Sequence, residues 1–427
     1  MKRLYLAVLL LAVALLLPLS AEGAPPRVDV ITVNGAIVPA VADYIQWGID
    51  HAQEGAQALV IELDTPGGLT STTQTIIEAI LNSPVPVIVY VSPAGAWAGS
   101  AGSFITEAAH VAAMAPGTFI GAAHPVTTGG TLTPTEEEKL VNALASTIRS
   151  IAQVRQRNVQ AAEDMVRQSQ AHTDQEALDL NLIDLRAQSL SDLLDQLEGR
   201  EITLAGDVKA TLHTRGAETD RIPMTFVQRF LQTISDPNVA YILLAVALLG
   251  IALEFVNPGA ILPGTAGGIA LFLSLYALGI LGASWTGVLL MFLAFIMLVA
   301  EAFVPSHGIL AAGGVASMVA AGFLLFSGTV FAVNIWVVVG LALALGAFFF
   351  FVIRAIVRTH RRPQQTGAEE MIGMIAVAKT PLDPGGTVLV HGELWQAQSL
   401  EGTIQEGEEA VIQRMEGLKL WVTRKKK

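Results

Sequence analysis

The chain has no cysteine, which excludes disulfides, thiolate catalysis and cysteine-based metal sites. It is also poor in charge: 15% of its 427 residues are charged against 52% hydrophobic, where an ordinary soluble domain carries roughly 25% charged residues. The deficit is uneven. Not one Lys or Arg occurs between Arg229 and Arg354, so a membrane block is expected between polar segments. Basic residues number 25 and acidic residues 37, a net charge of −12, which argues against a nucleic-acid binder. No Gly-rich P-loop with G-K-[ST] occurs, so nothing suggests nucleotide-driven unfolding. The eight histidines show no ligand spacing, so no metal or other cofactor is expected.

What is present divides into four parts: 1–24, 25–235, 236–357 and 358–427. Met1-Lys2-Arg3, an apolar run to Leu19 and the small-residue exit Ser20 to Ala24 make a secretory signal peptide; an uncleaved anchor helix is the alternative. Either delivers the following domain across the membrane. The block 236–357 reads as several membrane helices, near 239–257, 264–283, 286–304, 308–328 and 331–353, broken at Asn257-Pro258-Gly259, Ala283-Ser284-Trp285 and Pro305 to Gly308. Arg354, Arg358, Arg361 and Arg362 follow directly, and such clusters stay in the cytoplasm. An exported front and a retained tail need an odd number of crossings, and five fits better than three. Glu254 and Glu301 fall at span ends and read as solvated or helix-capping carboxylates rather than transport groups. The block lacks paired mid-span charges, which disfavours a transporter.

In the front domain, Val28–Val33, Ala58–Leu63 and Val85–Val91 read as Val/Ile-rich strands, with helices over Val38–Glu54 and Ser71–Leu81 between them. That alternation predicts a largely parallel sheet with covering helices, with sites just past the carboxyl ends of the strands. Two loops there are unusual. Asp64-Thr65-Pro66-Gly67-Gly68-Leu69 has paired glycines that let backbone N–H groups face a ligand. In Ala94 to Phe104, Ser100 sits among small residues before an apolar helix, as a nucleophile at a helix N-terminus would.

A serine nucleophile needs a base, either His or an unprotonated Lys. Between Arg27 and Gly206 there are six further arginines, at 149, 155, 157, 167, 186 and 200, but a single lysine, Lys139. The arginines read as ordinary surface charge. Lys139 opens an amphipathic helix to Ile148 after the acidic run Glu136–Glu138, and it serves as a base only if burial lowers its pKa. His110, a packing or hydrogen-bonding residue, and His124, in Gly121 to Pro125, are the rivals. No Asp stands in an obvious position to orient either. Trp97, Phe104 and Phe119 are placed to line substrate pockets, although core packing suits at least two of them.

Together these residues resemble the long form of the NfeD family, membrane-bound serine proteases of the ClpP class related to signal peptide peptidase A. The resemblance rests on Val33 to Ile37, Asp64 to Gly68, Ala98 to Gly102, Met114 to Thr118, Ile120 to Pro125 and Ala177 to Asp184, and on the four-part layout. It implies an α/β ClpP/crotonase-like protease domain, a multi-pass α-helical membrane domain and a C-terminal all-β OB-like barrel. It implies Ser100 as nucleophile and Lys139 as base, with an oxyanion hole from Gly67, Gly68 and Ala101. The implied activity is ATP-independent cleavage of apolar segments in stomatin/SPFH-type membrane proteins. A homodimer is expected. The stretch Val126–Pro134 is short, polar and Gly/Thr-rich, like a mobile active-site loop.

The tail reads as five short strands, at 373–378, 386–390, 394–397, 409–416 and 418–422, which suits a small barrel. It lacks an obvious aromatic and basic strip for nucleic acid and reads as a partner-binding module, with Arg424 to Lys427 placed to contact anionic lipid. The alternative to a protease is a non-catalytic scaffold that organises stomatin-like proteins in the membrane.

Overall fold

The computed structural model describes residues 26–125, 133–256, 259, 261–301, 303–304, 306–329, 331–360 and 371–425. The expected signal peptide, most of the Val126–Pro134 stretch, Arg361 and Arg362 lie outside them. The chain forms two compact units, Met1–Phe349 and Phe350–Lys427.

The front of the first unit alternates strands and helices. These are β1 (Arg27–Asn34), α1 (Pro39–Ala52), β2 (Ala58–Asp64), α2 (Thr70–Leu81), β3 (Val87–Val91), β4 (Trp97–Gly99), α3 (Ala101–Ala108), β5 (Val111–Met114) and β6 (Phe119–Gly121). There follow α4 (Pro134–Val154), α5 (Val159–Arg167), β7 (Ala171–Thr173), α6 (Asp174–Asp179), β8 (Leu185–Arg186), α7 (Leu190–Leu197), a short hairpin of β9 (Glu201–Thr203) and β10 (Lys209–Thr211), and β11 (Glu218–Arg221). Six strands make one sheet in the order β11-β1-β2-β3-β5-β8, parallel throughout. Alternate residues of its strands face two layers. Ile31, Val33, Leu59, Ile61 and Leu63 pack with Ile45, Ile49 and Ile105 from the helices on one side. Val28, Val30, Ala58 and Val60 pack with Leu193, Leu194 and Leu197 of α7 on the other. Burial on both faces is why these strands are continuously Val/Ile-rich.

Two elements differ from the sequence expectation. Strand β4 was not readable, since Trp97-Ala98-Gly99 is too short to show a period. It pairs with β6, and β6 with β7, in a second sheet. Helix α4 starts at Pro134 rather than Lys139. Thr133 caps it, its hydroxyl accepting from Glu136 N while the Glu136 carboxylate takes the Thr133 N–H. This capping box puts the acidic run inside the first turns and Lys139 in the second.

Helix α8 (Phe226–Ile234) leads into five apolar helices: α9 (Pro237–Val256), α10 (Ile261–Leu281), α11 (Trp285–Glu301), α12 (Ile309–Leu324) and α13 (Ile335–His360). Three are long and apolar enough to cross a membrane, and the 17-residue and 16-residue helices α11 and α12 are not, a span needing about 20 residues. Their ends nevertheless alternate. Ser284 N donates to Leu325 O at 2.7 Å, Asn334 N to Asn238 Oδ1 at 2.7 Å and the Tyr241 hydroxyl to Met318 O at 2.9 Å, so the start of α11 is tied to the end of α12, the start of α9 to that of α13, and α9 to α12. Ile280, near the end of α10, packs against the front-domain core. Thus α9–α10 and α11–α12 are two hairpins returning to the front domain, and α13 leaves it. Glu301 has the capping role expected: its carboxylate accepts from Gly308 N at 2.9 Å and Ala311 N at 3.1 Å, and from the Ser306 hydroxyl.

The second unit is a closed barrel in the order β12-β13-β14-β16-β15, of β12 (Ile375–Ala378), β13 (Gly385–Val390), β14 (Glu393–Ser399), β15 (Glu409–Glu416) and β16 (Lys419–Arg424). The expected α/β front, helical block and five-stranded tail are therefore all present.

Candidate active site

The two loops singled out by composition lie side by side because β4 is stitched to the end of β2. Thr65 N donates to Trp97 O at 2.7 Å and Gly99 N to Thr65 O at 2.9 Å. Trp97 N donates to the Asp64 carboxylate at 3.0 Å. Ser100 then turns sharply into α3 with φ 48° and ψ −110°, a region a non-glycine residue occupies only when its surroundings force it. The force comes from β6: Ser100 N donates to Gly121 O at 3.0 Å. Ser103, unremarked in the sequence, fixes the same corner. Its buried hydroxyl accepts from Gly121 N at 3.0 Å and donates to Ala98 O at 2.9 Å.

Backbone donors at this corner can be assigned one by one. Gly67 N donates to Thr65 Oγ1 at 3.0 Å, so it is already used. The φ of 127° at Gly67 is what turns the next peptide outward. Among the described residues Gly68 N and Ala101 N have no hydrogen-bond acceptor, and Ala101 stands at the N-terminus of α3, where the helix dipole favours negative charge. Of the three expected oxyanion residues, two carry free N–H groups and Gly67 shapes the turn that presents them.

These groups open on a cleft of about 420 Å³ lined by Gly68, Leu69, Ser100, Phe104, Leu140 and Leu144, among others. Of Trp97, Phe104 and Phe119, Phe104 lines it. Trp97 and Phe119 instead stack on each other with ring centroids 5.2 Å apart.

Lys139 is not brought to Ser100. It is exposed on α4 and makes no hydrogen bond to Ser100 among the described residues, although its neighbour Leu140 lines the cleft. The histidines are committed elsewhere. His110 is buried, accepts from Val87 N at 3.2 Å, and is driven down to about 3 by burial, with Arg155 adding to the shift. His124 Nδ1 lies 3.0 Å from Val166 O and its Nε2 3.5 Å from Glu137.

One arginine corrects the surface reading. Arg157 is buried at 6% exposure. It donates to Thr106 O at 3.1 Å, Glu107 O at 2.5 Å, Ala109 O at 3.1 Å and the Asp184 carboxylate at 2.7 Å. It thereby satisfies the carbonyls at the end of α3 that a helix leaves open and anchors the far end of the Ser100 helix. Beside it, the fully buried Glu107 carboxyl is pushed up to about 8 by burial, against the pull of Arg157.

A parallel α/β domain carrying a strained serine turn beside free backbone donors, joined to apolar helices and a small barrel, defines a class of membrane protein. The chain belongs to the NfeD family: residues 27–199 match the NfeD1b N-terminal domain, 238–355 the NfeD integral membrane domain and 368–424 the NfeD-like C-terminal, partner-binding domain. It is 34% identical over 414 residues to the membrane-bound protease PH1510 of Pyrococcus horikoshii, covering 94% of each chain. It is 27% identical over 430 residues to the membrane protein NfeD1b of Bacillus subtilis, covering 95% of this chain and 94% of that one. The solved 1510-N membrane protease specific for a stomatin homolog, from P. horikoshii, is 32% identical, with a TM-score of 0.44 over 50% of this chain and 100% of its own.

Proposed function

We propose that the protein is a membrane-anchored, ATP-independent serine endopeptidase that cleaves apolar segments of stomatin-like membrane proteins. The observation carrying this reading is the pair of free N–H groups, Gly68 and Ala101, beside Ser100 in an apolar cleft. Ser100 Oγ attacks the peptide carbonyl and passes its proton to neutral Lys139. The carbonyl oxygen becomes an oxyanion between the two donors, and Lys139 returns the proton to the leaving amine. A water then attacks the acyl-enzyme, with Lys139 again as base, and releases Ser100. Removal of one such donor costs roughly 100- to 1000-fold in known cases. Lys139 precedes Leu140, a cleft residue, by about 100° of helix rotation, so closure of the first turns of α4 over a bound peptide brings its ammonium from solvent into the apolar cleft.

The relative named as a membrane-bound protease supports this activity, and the solved relative described as specific for a stomatin homolog supports the substrate class. Two hairpins and a departing α13 make the number of crossings odd whether or not the two short helices span. We therefore place the front domain on the exported side and the barrel in the cytoplasm, where it binds the partner protein.

Separate Ser100→Ala and Lys139→Ala variants, assayed on an apolar peptide, test the dyad. Each is expected to lose at least about 1000-fold in kcat. Cleavage that persists in both removes the assignment. A wild-type chain that cleaves nothing favours the scaffold, which the exposure of Lys139 also suits.

A further inference from the structure

The cleft beside Ser100 is not closed by the front domain alone. Its wall includes Phe331, which lies in the segment joining α12 to α13, over two hundred positions further along the chain. Phe331 is 6% exposed and belongs to the apolar core of the membrane helices, against which Ala36 and Leu69 of the front domain also pack. Its position is fixed from both sides. Leu325 O accepts from Ser284 N, Phe331 N donates to Thr329 Oγ1 at 3.0 Å, and Asn334 N is held by Asn238. With the backbone around it held in this way, the buried ring forms a wall of a cleft whose other apolar residues include Leu69, Ile77, Phe104, Leu140 and Leu144.

The geometry points to Phe331 as a specificity-determining residue, through which the membrane block selects a large apolar side chain next to the scissile bond. This rests on the peptidase reading above. The site is then assembled from two parts of the chain, and the helix ends paired at Ser284–Leu325 and Asn238–Asn334 hold the cleft at the end of the membrane block. A substrate segment emerging from the bilayer meets it there. An apolar pocket discriminates between side chains by the contact that the larger one makes and the smaller one lacks, roughly 10- to 200-fold per methylene-sized difference.

The test uses the full chain in detergent, with two peptides that differ only in Phe or Ala before the scissile bond. The wild type should prefer the Phe peptide. Phe331→Ala should lose on the order of 10-fold of that preference, chiefly through KM, and Phe331→Leu should restore most of it. The same pair is measured for binding to the Ser100→Ala chain by fluorescence anisotropy, with and without Phe331→Ala. There the Phe peptide should bind about 10-fold more weakly when the ring is removed. If Phe331→Ala unfolds, Phe331→Trp carries the comparison: the larger ring narrows the pocket and should lower the preference for the Phe peptide. An unchanged preference in both cleavage and binding overturns the inference. A wild-type chain that binds the Phe peptide selectively through Phe331 but cleaves neither overturns the peptidase reading and leaves the recognition role standing.

Discussion

A methyl group on Gly67 would lie 2.7 Å from Ser100 Cβ and 3.2 Å from its Oγ. The P-G-G turn and the serine turn thus share one small volume, and only hydrogen fits at position 67. Gly67→Ala meets both that contact and a φ of 127°. It is expected to reduce peptidase activity by about 100-fold and to destabilise the front domain by about 1–3 kcal/mol. Peptide cleavage and a denaturant titration read the two effects. Full activity in the variant would show that the turn and the serine are not coupled.

Arg157 serves three carbonyls and one carboxylate with no exposed alternative. Arg157→Ala takes this donor from the carbonyls at the end of α3, while Asp184 keeps Arg200 and Ala112 N, and its cost is about 1–3 kcal/mol. Arg157→Lys recovers little, because an ammonium cannot reproduce the planar fork. A denaturation midpoint equal to that of the wild type would return Arg157 to the surface role its neighbours play.

Glu107 and His110 give the front domain opposing pH limbs. The folded pKa of Glu107, about 8, lies above its ordinary 4.5, so the folded state holds the proton more tightly. Stability therefore falls as pH rises from 4.5 towards 8. His110, driven down to about 3 from 6.5, loses stability as pH falls through that interval. Glu107→Gln should flatten the alkaline limb and raise the thermal midpoint at pH 8, while leaving the acid limb intact. A pH profile parallel to the wild type would contradict the burial argument.

Glu301 joins the two short apolar helices by accepting from the first N–H groups of α12. Glu301→Ala should lower the thermal midpoint of the detergent-solubilised chain by a few degrees without altering transport of any ion. An ion-flux phenotype instead would restore the functional reading of a membrane carboxylate.

The parallel sheet, the barrel and the membrane block were legible in the sequence because each follows from local pattern. Runs such as Ala58–Leu63 are apolar on both faces, the tail alternates with period two between Gly turns, and a gap without Lys or Arg admits lipid. Ser100 stood out because small residues flanked it at the end of a strand. The start of α4 is written in the sequence as the Thr133–Glu136 capping box, but the acidic run Glu136–Glu138 hides it by reading as a solvated segment ahead of the helix.

What the sequence by itself determined is the order of parts, the serine turn and the supply of glycines around it. Only the tertiary structure decided which N–H groups remain free, since Gly67 is used by Thr65 while Gly68 and Ala101 are not. It alone buried Arg157, left Lys139 exposed and brought Phe331 to the cleft. The reason is physical. Periodicity and composition report how a residue relates to its neighbours within a turn or two, whereas hydrogen-bond occupancy, desolvation and contact depend on groups that chain folding brings from far away.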